Sequence, residues 1–399
     1  MKKKIMFMVI NMNIGGTEKA LLNMINEMPK DQYEITVLML EKYGGFLDAI
    51  PKEVKVEYLE NYVDYKNIVN RPPMENILNH FRHNEFIRGF NLGLVYLLSK
   101  VFKKNLFYLN HILKGFPEYK NQYDVAVAYA GPMDFISYFI AKKIKANKKV
   151  QWIHFDVEKI GFDWKSASKI YKEFDKIFVV SQEGKNKLSK LLKNLNRENK
   201  IDYCGNIVSS GLIRNLATEE KGFDDDFNGI RILTVGRLSK EKGQDMTIKV
   251  LSRLRQEGFK VRWYCVGEGK ERKEYERLIK EYNVKEDYLL LGAKINPYPY
   301  MKDCNIYVQS SSHEGYCITL AEARCFSNPI ITTDFTGARE QIKHNENGMI
   351  VSFNEEELYK ALVKTINDKQ LKSKIINNLE SEIIDTKVEM KKIYEIINY

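Results

Sequence analysis

Twelve apolar runs of strand length alternate with amphipathic segments of helix length along nearly the whole chain, and this rhythm is what most restricts the fold. Alternation on this scale is the pattern of parallel sheets whose strands are joined by crossover helices, so the class is α/β. The runs fall into two groups. The first holds Ile5–Asn11, Ile35–Leu40, Val54–Leu59, Asp124–Tyr129, Val150–His154 and Ile177–Ser181; the second holds Ile230–Val235, Val261–Gly267, Tyr288–Gly292, Asn305–Gln309, Pro329–Thr333 and Met349–Val351. Between them, residues 206–229 carry Ser209-Ser-Gly211 and Asp224-Asp-Asp226 with little periodicity, which predicts a linker. The expected division is therefore a first domain over 1–205, the linker, a second domain over 230–380 and a closing helix over 381–399, where Met390, Ile393, Ile396 and Ile397 form an apolar stripe. Open parallel sheets bind ligands outside the carboxyl ends of their strands, so two facing sheets predict a cleft lined by both sets of loops.

A length of 399 residues suits two domains that each bury a core. Hydrophobic content of 44% with 29% charged residues describes a globular protein and excludes a disordered one. Five cysteines, an odd number with no CxxC pair, argue against a disulfide framework and fit a reducing cytoplasm. Cys304, His313, Cys317 and Cys325 are near one another in sequence but lack the spacing of a structural zinc site, and Cys304 reads as a core residue. Lys2-Lys-Lys4 precedes only six apolar residues, Ile5–Ile10, so the start reads as a buried strand and not as an export signal. No stretch reaches the roughly 18–20 apolar residues that span a bilayer. The formal charge of +10 is uneven: residues 61–120 hold nine Lys or Arg against four acids, half of the excess. No nucleic-acid-binding motif accompanies that charge.

Candidate chemistry sits where strands end. The first run leads into Asn13-Ile-Gly-Gly-Thr-Glu18 before a helical segment, and Gly15 and Gly16 allow close approach of a ligand to free amides; a tight turn is the alternative. The spacing is not the GxGxxG of a dinucleotide site. Trp152-Ile-His154 places a histidine at a sheet edge, where in isolation it reads as a structural residue, and Asp134 after Gly131-Pro-Met reads as a turn or cap. The run ending at Val235 is followed by Gly236-Arg-Leu-Ser-Lys-Glu-Lys-Gly243, which puts Arg237 and Lys242 five residues apart, a cation pair suited to a leaving diphosphate or else a solvated loop. Gly267 and Gly269 of Val266-Gly-Glu-Gly269 leave room for a base or ribose. In Glu314-Gly-Tyr-Cys-Ile-Thr-Leu-Ala-Glu322 two carboxylates flank a loop that opens a helix, an arrangement suited to a sugar nucleotide, the other reading being an exposed acidic loop.

In order, GGTE, WIH, VVS, VGRLSKEKG, VGEG, the Glu314–Glu322 segment, PIITTD and GARE resemble the retaining glycosyltransferases of family 4, of bacterial surface-polysaccharide type. The resemblance covers most of the chain and implies the GT-B fold, two Rossmann-like domains with parallel sheets facing across a cleft. It further implies that Arg237 and Lys242 hold the diphosphate of the donor, Glu322 the ribose hydroxyls and Glu314 the hydroxyls of the sugar. Backbone amides of Tyr316, Cys317, Ile318, Thr319 and Leu320, with Gly315, would contact sugar and phosphate. His154 would touch the sugar near the reacting centre, Gly15 and Gly16 would flank the phosphate, and Gly267 would lie by the nucleotide. No metal or other cofactor is implied, the nucleotide sugar being the donor substrate. The chain departs from the family pattern at Cys317, where glycine is frequent, and at Arg324-Cys-Phe-Ser-Asn328, where small residues and glycine are usual.

The expected reaction is transfer of a hexose or N-acetylhexosamine from a UDP-sugar to a lipid-linked saccharide or polysaccharide, with a UDP-sugar epimerase or a silent nucleotide-sugar-binding partner as the alternatives. Phe90, Leu94, Leu97 or Leu98, and Val101 recur at helical spacing beside Lys100, Lys103 and Lys104. Such a helix either packs on its own domain or lies on an anionic membrane. The expected location is cytoplasmic, in the latter case peripheral at the inner face of the cell membrane.

Overall fold

The computed structural model describes residues 2–101, 106–131, 134–159, 163–382, 384, 386 and 388–398. The first sheet has seven strands: β1 (Lys3–Val9), β2 (Tyr33–Met39), β3 (Lys55–Tyr58), β4 (Gln122–Gly131), β5 (Lys145–Ile153), β6 (Lys176–Val179) and β7 (Ile201–Tyr203). They are ordered β3-β2-β1-β4-β5-β6-β7 and every pair is parallel. The second sheet has six: β8 (Ile230–Val235), β9 (Val261–Val266), β10 (Tyr288–Leu290), β11 (Ile306–Gln309), β12 (Ile330–Thr333) and β13 (Met349–Val351), ordered β10-β9-β8-β11-β12-β13, again all parallel.

Helices cover both faces, so a central strand such as β1 is buried continuously from Ile5 to Val9 and reads as an apolar run without alternation. Two differences from the sequence expectation have simple causes. β7 has three residues with one apolar side chain fully inside, too little signal to register, and it extends the sheet by pairing with β6. β5 begins five residues before the apolar run at Val150, because Lys145–Lys149 pair with β4 while their side chains reach solvent.

Strand order reverses between β1 and β4 in the first sheet and between β8 and β11 in the second. At such a switch point the connections leave in opposite directions and open a crevice at the carboxyl ends. Residues 206–229 contain the helix Ser210–Leu216, whose Arg214 donates from Nε to the Cys325 carbonyl (2.9 Å). Asp225 of the acidic run accepts from Tyr264 (2.5 Å) and Arg231 (2.7 Å), which fastens it to the second sheet. The helix Glu389–Asn398 lies back on the first sheet's lobe, with Tyr394 stacked on Tyr33 (5.9 Å) and the Ile397 carbonyl accepting from Lys3 (2.7 Å). Among the described residues no helix is long and apolar enough to cross a membrane.

Candidate active site

Loops from the two switch points meet, and the end of β5 joins them. A Cβ on Gly315, in the loop after β11, would lie 2.0 Å from the carbonyl oxygen of His154, at the end of β5 in the other lobe. Since backbone cannot yield as a side chain can, only glycine permits this approach. A Cβ on Gly16 would touch Ile318 (3.1 Å), and one on Gly15 would lie 3.7 Å from the Arg237 guanidinium. The first-lobe glycines and the second-lobe cation therefore share one crevice.

The loop after β8 is stitched to the loop after β11 through its carbonyls: Ser312 N–H donates to the Glu241 carbonyl (2.8 Å) and Ser310 Oγ to the Lys242 carbonyl (2.8 Å). This places the Lys242 ammonium against the Glu314 carboxylate, which also accepts from Ser311 Oγ (2.7 Å). Behind them a buried chain runs from Tyr307 to Gln309 (2.9 Å) and from Gln309 to Ser311 (2.8 Å), so Glu314 is held by the sheet and not by a free loop. Burial opposes the charge on Lys242, but the Glu314 carboxylate outweighs it and holds the lysine pKa above its usual value. The Arg237 guanidinium by contrast is exposed, with no hydrogen bond or ion pair among the described residues, while the Arg237 carbonyl accepts from Gln244 Nε2 (2.9 Å). Of the expected cation pair, one member is therefore unpaired and the other is held by a carboxylate.

Glu322 lies in the helix Ile318–Ala323 and is only 3% exposed. Its carboxylate accepts from the Tyr298 hydroxyl (2.7 Å), and Lys19 of the opposite lobe stands over the Tyr298 ring (5.2 Å). Burial raises its pKa, partly offset by the Lys19 charge. His154 is buried against Tyr129 (ring centroids 4.6 Å) and Trp152 (6.3 Å). Desolvation drives its pKa down to about 3, so the ring is neutral at ordinary pH, and its Nε2 is buried without a hydrogen-bond partner. A buried polar atom left open is costly unless something else fills the valence.

The helix-opening residue Cys317 has φ +66°, in the left-handed region that glycine enters without strain, and its buried thiol is pushed up to about 12. Tyr316 and Cys317 both offer their carbonyls to Gln341, the former contact very short and the latter at 3.5 Å. The Leu320 amide is already bonded to the Cys317 carbonyl (3.2 Å), which leaves the earlier amides, Ile318 and Thr319, as the ones facing outward from the helix start. Gly267 is explained within the protein: its Cβ would lie 1.9 Å from the Gly236 carbonyl, so it lets the loops after β8 and β9 pack together. Arg324 pairs with Glu382 (2.9 Å) and Asn328 with the Met301 carbonyl (2.7 Å), so the bulkier residues of that segment have partners away from the crevice. Cys304 and Cys325 lie in the core with local backbone partners, and the described residues contain no cluster of three metal-ligating side chains.

Sequence reasoning passed over Glu18, Lys19, Tyr298, Ser311 and Gln341. Glu18 had a visible signal, since it stands in the first turn of the helix opened by Gly16. Its carboxylate folds back over Gly15, close to where a Cβ there would be (2.5 Å), and burial raises its pKa against the pull of Arg237. Lys19 follows Glu18 directly and Ser311 stands three residues before Glu314, whereas Tyr298 and Gln341 reach the site from 24 and 25 residues away and carried no local signal.

Two parallel doubly wound sheets with their switch-point loops meeting define the GT-B architecture. The same fold is found in Anabaena HepE, solved in complex with UDP and glucose (TM-score 0.69, 19% identity, 98% of each chain), and in a mutant of Staphylococcus aureus TarM, solved with UDP and saccharides (TM-score 0.69, 15% identity, 100% of each chain). Residues 217–382, less than half of the chain, match the family described as Glycosyl transferases group 1. It is 30% identical over 211 residues to a Campylobacter jejuni protein, "N-acetylgalactosamine-N,N'-diacetylbacillosaminyl-diphospho-undecaprenol 4-alpha-N-acetylgalactosaminyltransferase", covering 52% of this chain and 56% of that one. It is 28% identical to S. aureus CapM, a capsular polysaccharide biosynthesis glycosyltransferase, covering 51% and 55%. The chain thus spans about half the length of these curated relatives. A second C. jejuni protein, an α-1,4-N-acetyl-D-galactosaminyltransferase named for a diphospho-undecaprenol acceptor, is 24% identical over 96% of this chain and 95% of its own.

Proposed function

We propose that this protein is a retaining, metal-independent glycosyltransferase that moves an N-acetylhexosamine or hexose from a UDP-sugar to a lipid-linked saccharide. The observation that supports this reading is the approach of loops from both lobes, Gly315 to the His154 carbonyl, Gly16 to Ile318 and Gly15 to Arg237, beside the Lys242–Glu314 pair. The C. jejuni relatives, both named as N-acetylgalactosaminyltransferases acting on undecaprenol-linked glycans, support the choice of donor and acceptor.

In this reading the diphosphate draws Lys242 away from Glu314 and brings Arg237 in from solvent. Glu314, released from its cation, then accepts hydrogen bonds from sugar hydroxyls, while Glu322 accepts those of the ribose and Tyr298 keeps it oriented. Neutral His154 offers an unpaired nitrogen to a sugar hydroxyl. The acceptor oxygen attacks the anomeric carbon on the face from which the UDP oxygen leaves, and that phosphate oxygen takes the acceptor proton. The protein contributes position and charge, with no covalent intermediate. Release of UDP from a panel of UDP-sugars, measured with and without an undecaprenyl-diphosphate saccharide, tests this. Acceptor-dependent release is expected. Failure to bind UDP at millimolar concentration, or conversion of the donor to an epimer without acceptor, would overturn it.

A further inference from the structure

Residues 61–120 leave the carboxyl end of β3 and return to β4 through the helices Tyr62–Asn70, Pro73–Arg82, Phe86–Val101 and Leu106–Leu113. Their inner faces pack on the first lobe: Tyr62 meets Phe135 (5.8 Å), and Ile77, Leu92 and Ile112 are buried. The outer face of Phe86–Val101 is also apolar. Phe86, Ile87, Phe90, Leu94, Leu97 and Leu98 fall within one side of the helix and all face solvent, Ile87 at 80% and Phe90 at 67%. The preceding helix adds Met74, Leu78 and Phe81 at positions i, i+4 and i+7, likewise exposed. Phe81 and Phe86 touch across the turn (6.1 Å), so the two stripes form one patch. A helix that is apolar on its packed side and again on its solvent side is not explained by folding.

From this we infer that the hairpin Pro73–Arg82/Phe86–Val101 is a membrane-docking surface that inserts its outer apolar face into the interface of an anionic bilayer. Charge selects this occupant over a second copy of the chain. Half of the protein's positive excess lies in the same four-helix segment; among its basic residues Arg82 and Lys114 are exposed, and Arg88, also exposed, pairs with Glu85 (3.1 Å). A self-contact would bring those charges together, whereas an anionic surface neutralises them. The sequence expectation named one stripe beginning at Phe90 beside three lysines. The structure moves the surface toward the turn and adds the Met74–Phe81 helix; Lys103 and Lys104 lie outside the described residues, as does the side chain of Lys100. The inference rests on the proposed lipid-linked acceptor for its purpose, since a docked enzyme meets its acceptor in two dimensions, but not for its test.

The test is flotation of the full chain with vesicles of phosphatidylglycerol and phosphatidylcholine against vesicles of phosphatidylcholine alone, without donor or acceptor. Binding to the anionic vesicles that weakens with salt is expected. The triple variant Ile87→Ser/Phe90→Ser/Leu94→Ser removes only exposed side chains, and its partition should fall by about a hundred-fold while UDP binding is unchanged. Failure of the unaltered chain to float with anionic vesicles overturns the inference. So does a triple variant that still floats, or a chain that stays in solution as a dimer which the triple variant converts to a monomer, an outcome that would make the patch a self-interface. Loss of UDP binding in the unaltered chain would instead strike at the proposed function and leave the vesicle result standing.

Discussion

Lys242 and Glu314 each satisfy the other's charge, so removing either leaves a charge in a site of low exposure. In the proposed reaction a diphosphate competes for the lysine. Lys242→Met keeps the volume of the stem and should lower turnover about 10²–10³-fold, the range for loss of one preorganised charge stabiliser; initial rates of UDP release at saturating donor check this. Glu18 acts in the opposite sense. Its carboxylate lies near Arg237 in the crevice, so Glu18→Gln should tighten UDP about threefold by removing a like charge, read by titration calorimetry. His154 sets a pH dependence whose sign follows from burial. Its folded pKa of about 3 lies below the ordinary histidine value, so the unfolded chain binds a proton that the folded chain refuses. Stability from this group is full above about 6.5 and falls as pH drops toward 3. Glu322, whose pKa is raised, contributes the reverse slope, with stability lost as pH rises from the unfolded carboxylate value through the folded one. A His154→Asn variant should therefore show a shallower loss of melting temperature between pH 6 and 4 than the unaltered protein.

At the scale of elements, the sheets were legible because central parallel strands are buried on both faces, so that β1 is a continuous apolar run from Ile5 to Val9 and β12 is buried along its whole length. The strand ends were legible for the same reason, and with them the positions of Gly15, His154, Arg237 and Glu314. What was not legible was the pairing of side chains from separate loops. Nothing in the spacing of Arg237 and Lys242 tells that one is free and the other held by Glu314, and Tyr298 stands 24 residues from the carboxylate it orients. The exposed face of Phe86–Val101 was half visible: its periodicity is in the sequence, but with apolar residues nearly all round the helix only the fold decides which side is packed. Cys317 links element to residue. It opens Ile318–Ala323 at φ +66°, a conformation costing a side-chain-bearing residue about 1 kcal/mol or more, which accounts physically for glycine being frequent in the family at this point. Cys317→Gly should leave stability within about 1 kcal/mol, strain relief offsetting the lost thiol packing and the freer unfolded chain. Cys317→Val should lose about 2 kcal/mol or more, because a branched Cβ resists this region most. Urea midpoints of the two variants distinguish these outcomes.

At the scale of the molecule, the two lobes are joined by a polar contact beside the crevice, where a Cβ on Gly337 would lie 3.3 Å from the Gly315 carbonyl. Asp156 and Lys187 of the first lobe form an ion pair (2.9 Å), and both bond Thr336 of the second (2.6 Å each). Beside them Glu340, also of the second lobe, accepts from the backbone amides of Gln182 and Glu183 (3.0 and 2.8 Å), capping the first-lobe helix Gln182–Leu191 from across the cleft. A carboxylate at a helix start is favoured by the amides and by the helix dipole, and here it comes from the opposite lobe and adds to the helix's own N-cap, Ser181 Oγ, which accepts from the Gly184 amide (3.1 Å). Helix start and lobe position are thereby coupled, since separating the lobes strips the Gln182 and Glu183 amides of their acceptor. The bonds join residues more than 140 positions apart, which is why no local pattern announced them. Glu340→Ala removes this cross-lobe acceptor and leaves the Ser181 cap in place. If the contact holds the lobes at the separation in which Gly315 meets His154, the free variant should populate wider arrangements, and its apparent UDP affinity should fall in proportion to the fraction still competent. An increase in the small-angle scattering radius of the free protein that disappears on saturation with UDP, with affinity weakened about three- to tenfold, is the expected result. Unchanged scattering and unchanged affinity would mean that the backbone approach at Gly315 and the returning helix Glu389–Asn398 fix the lobes by themselves, and that the cap at Gln182 serves only its own helix.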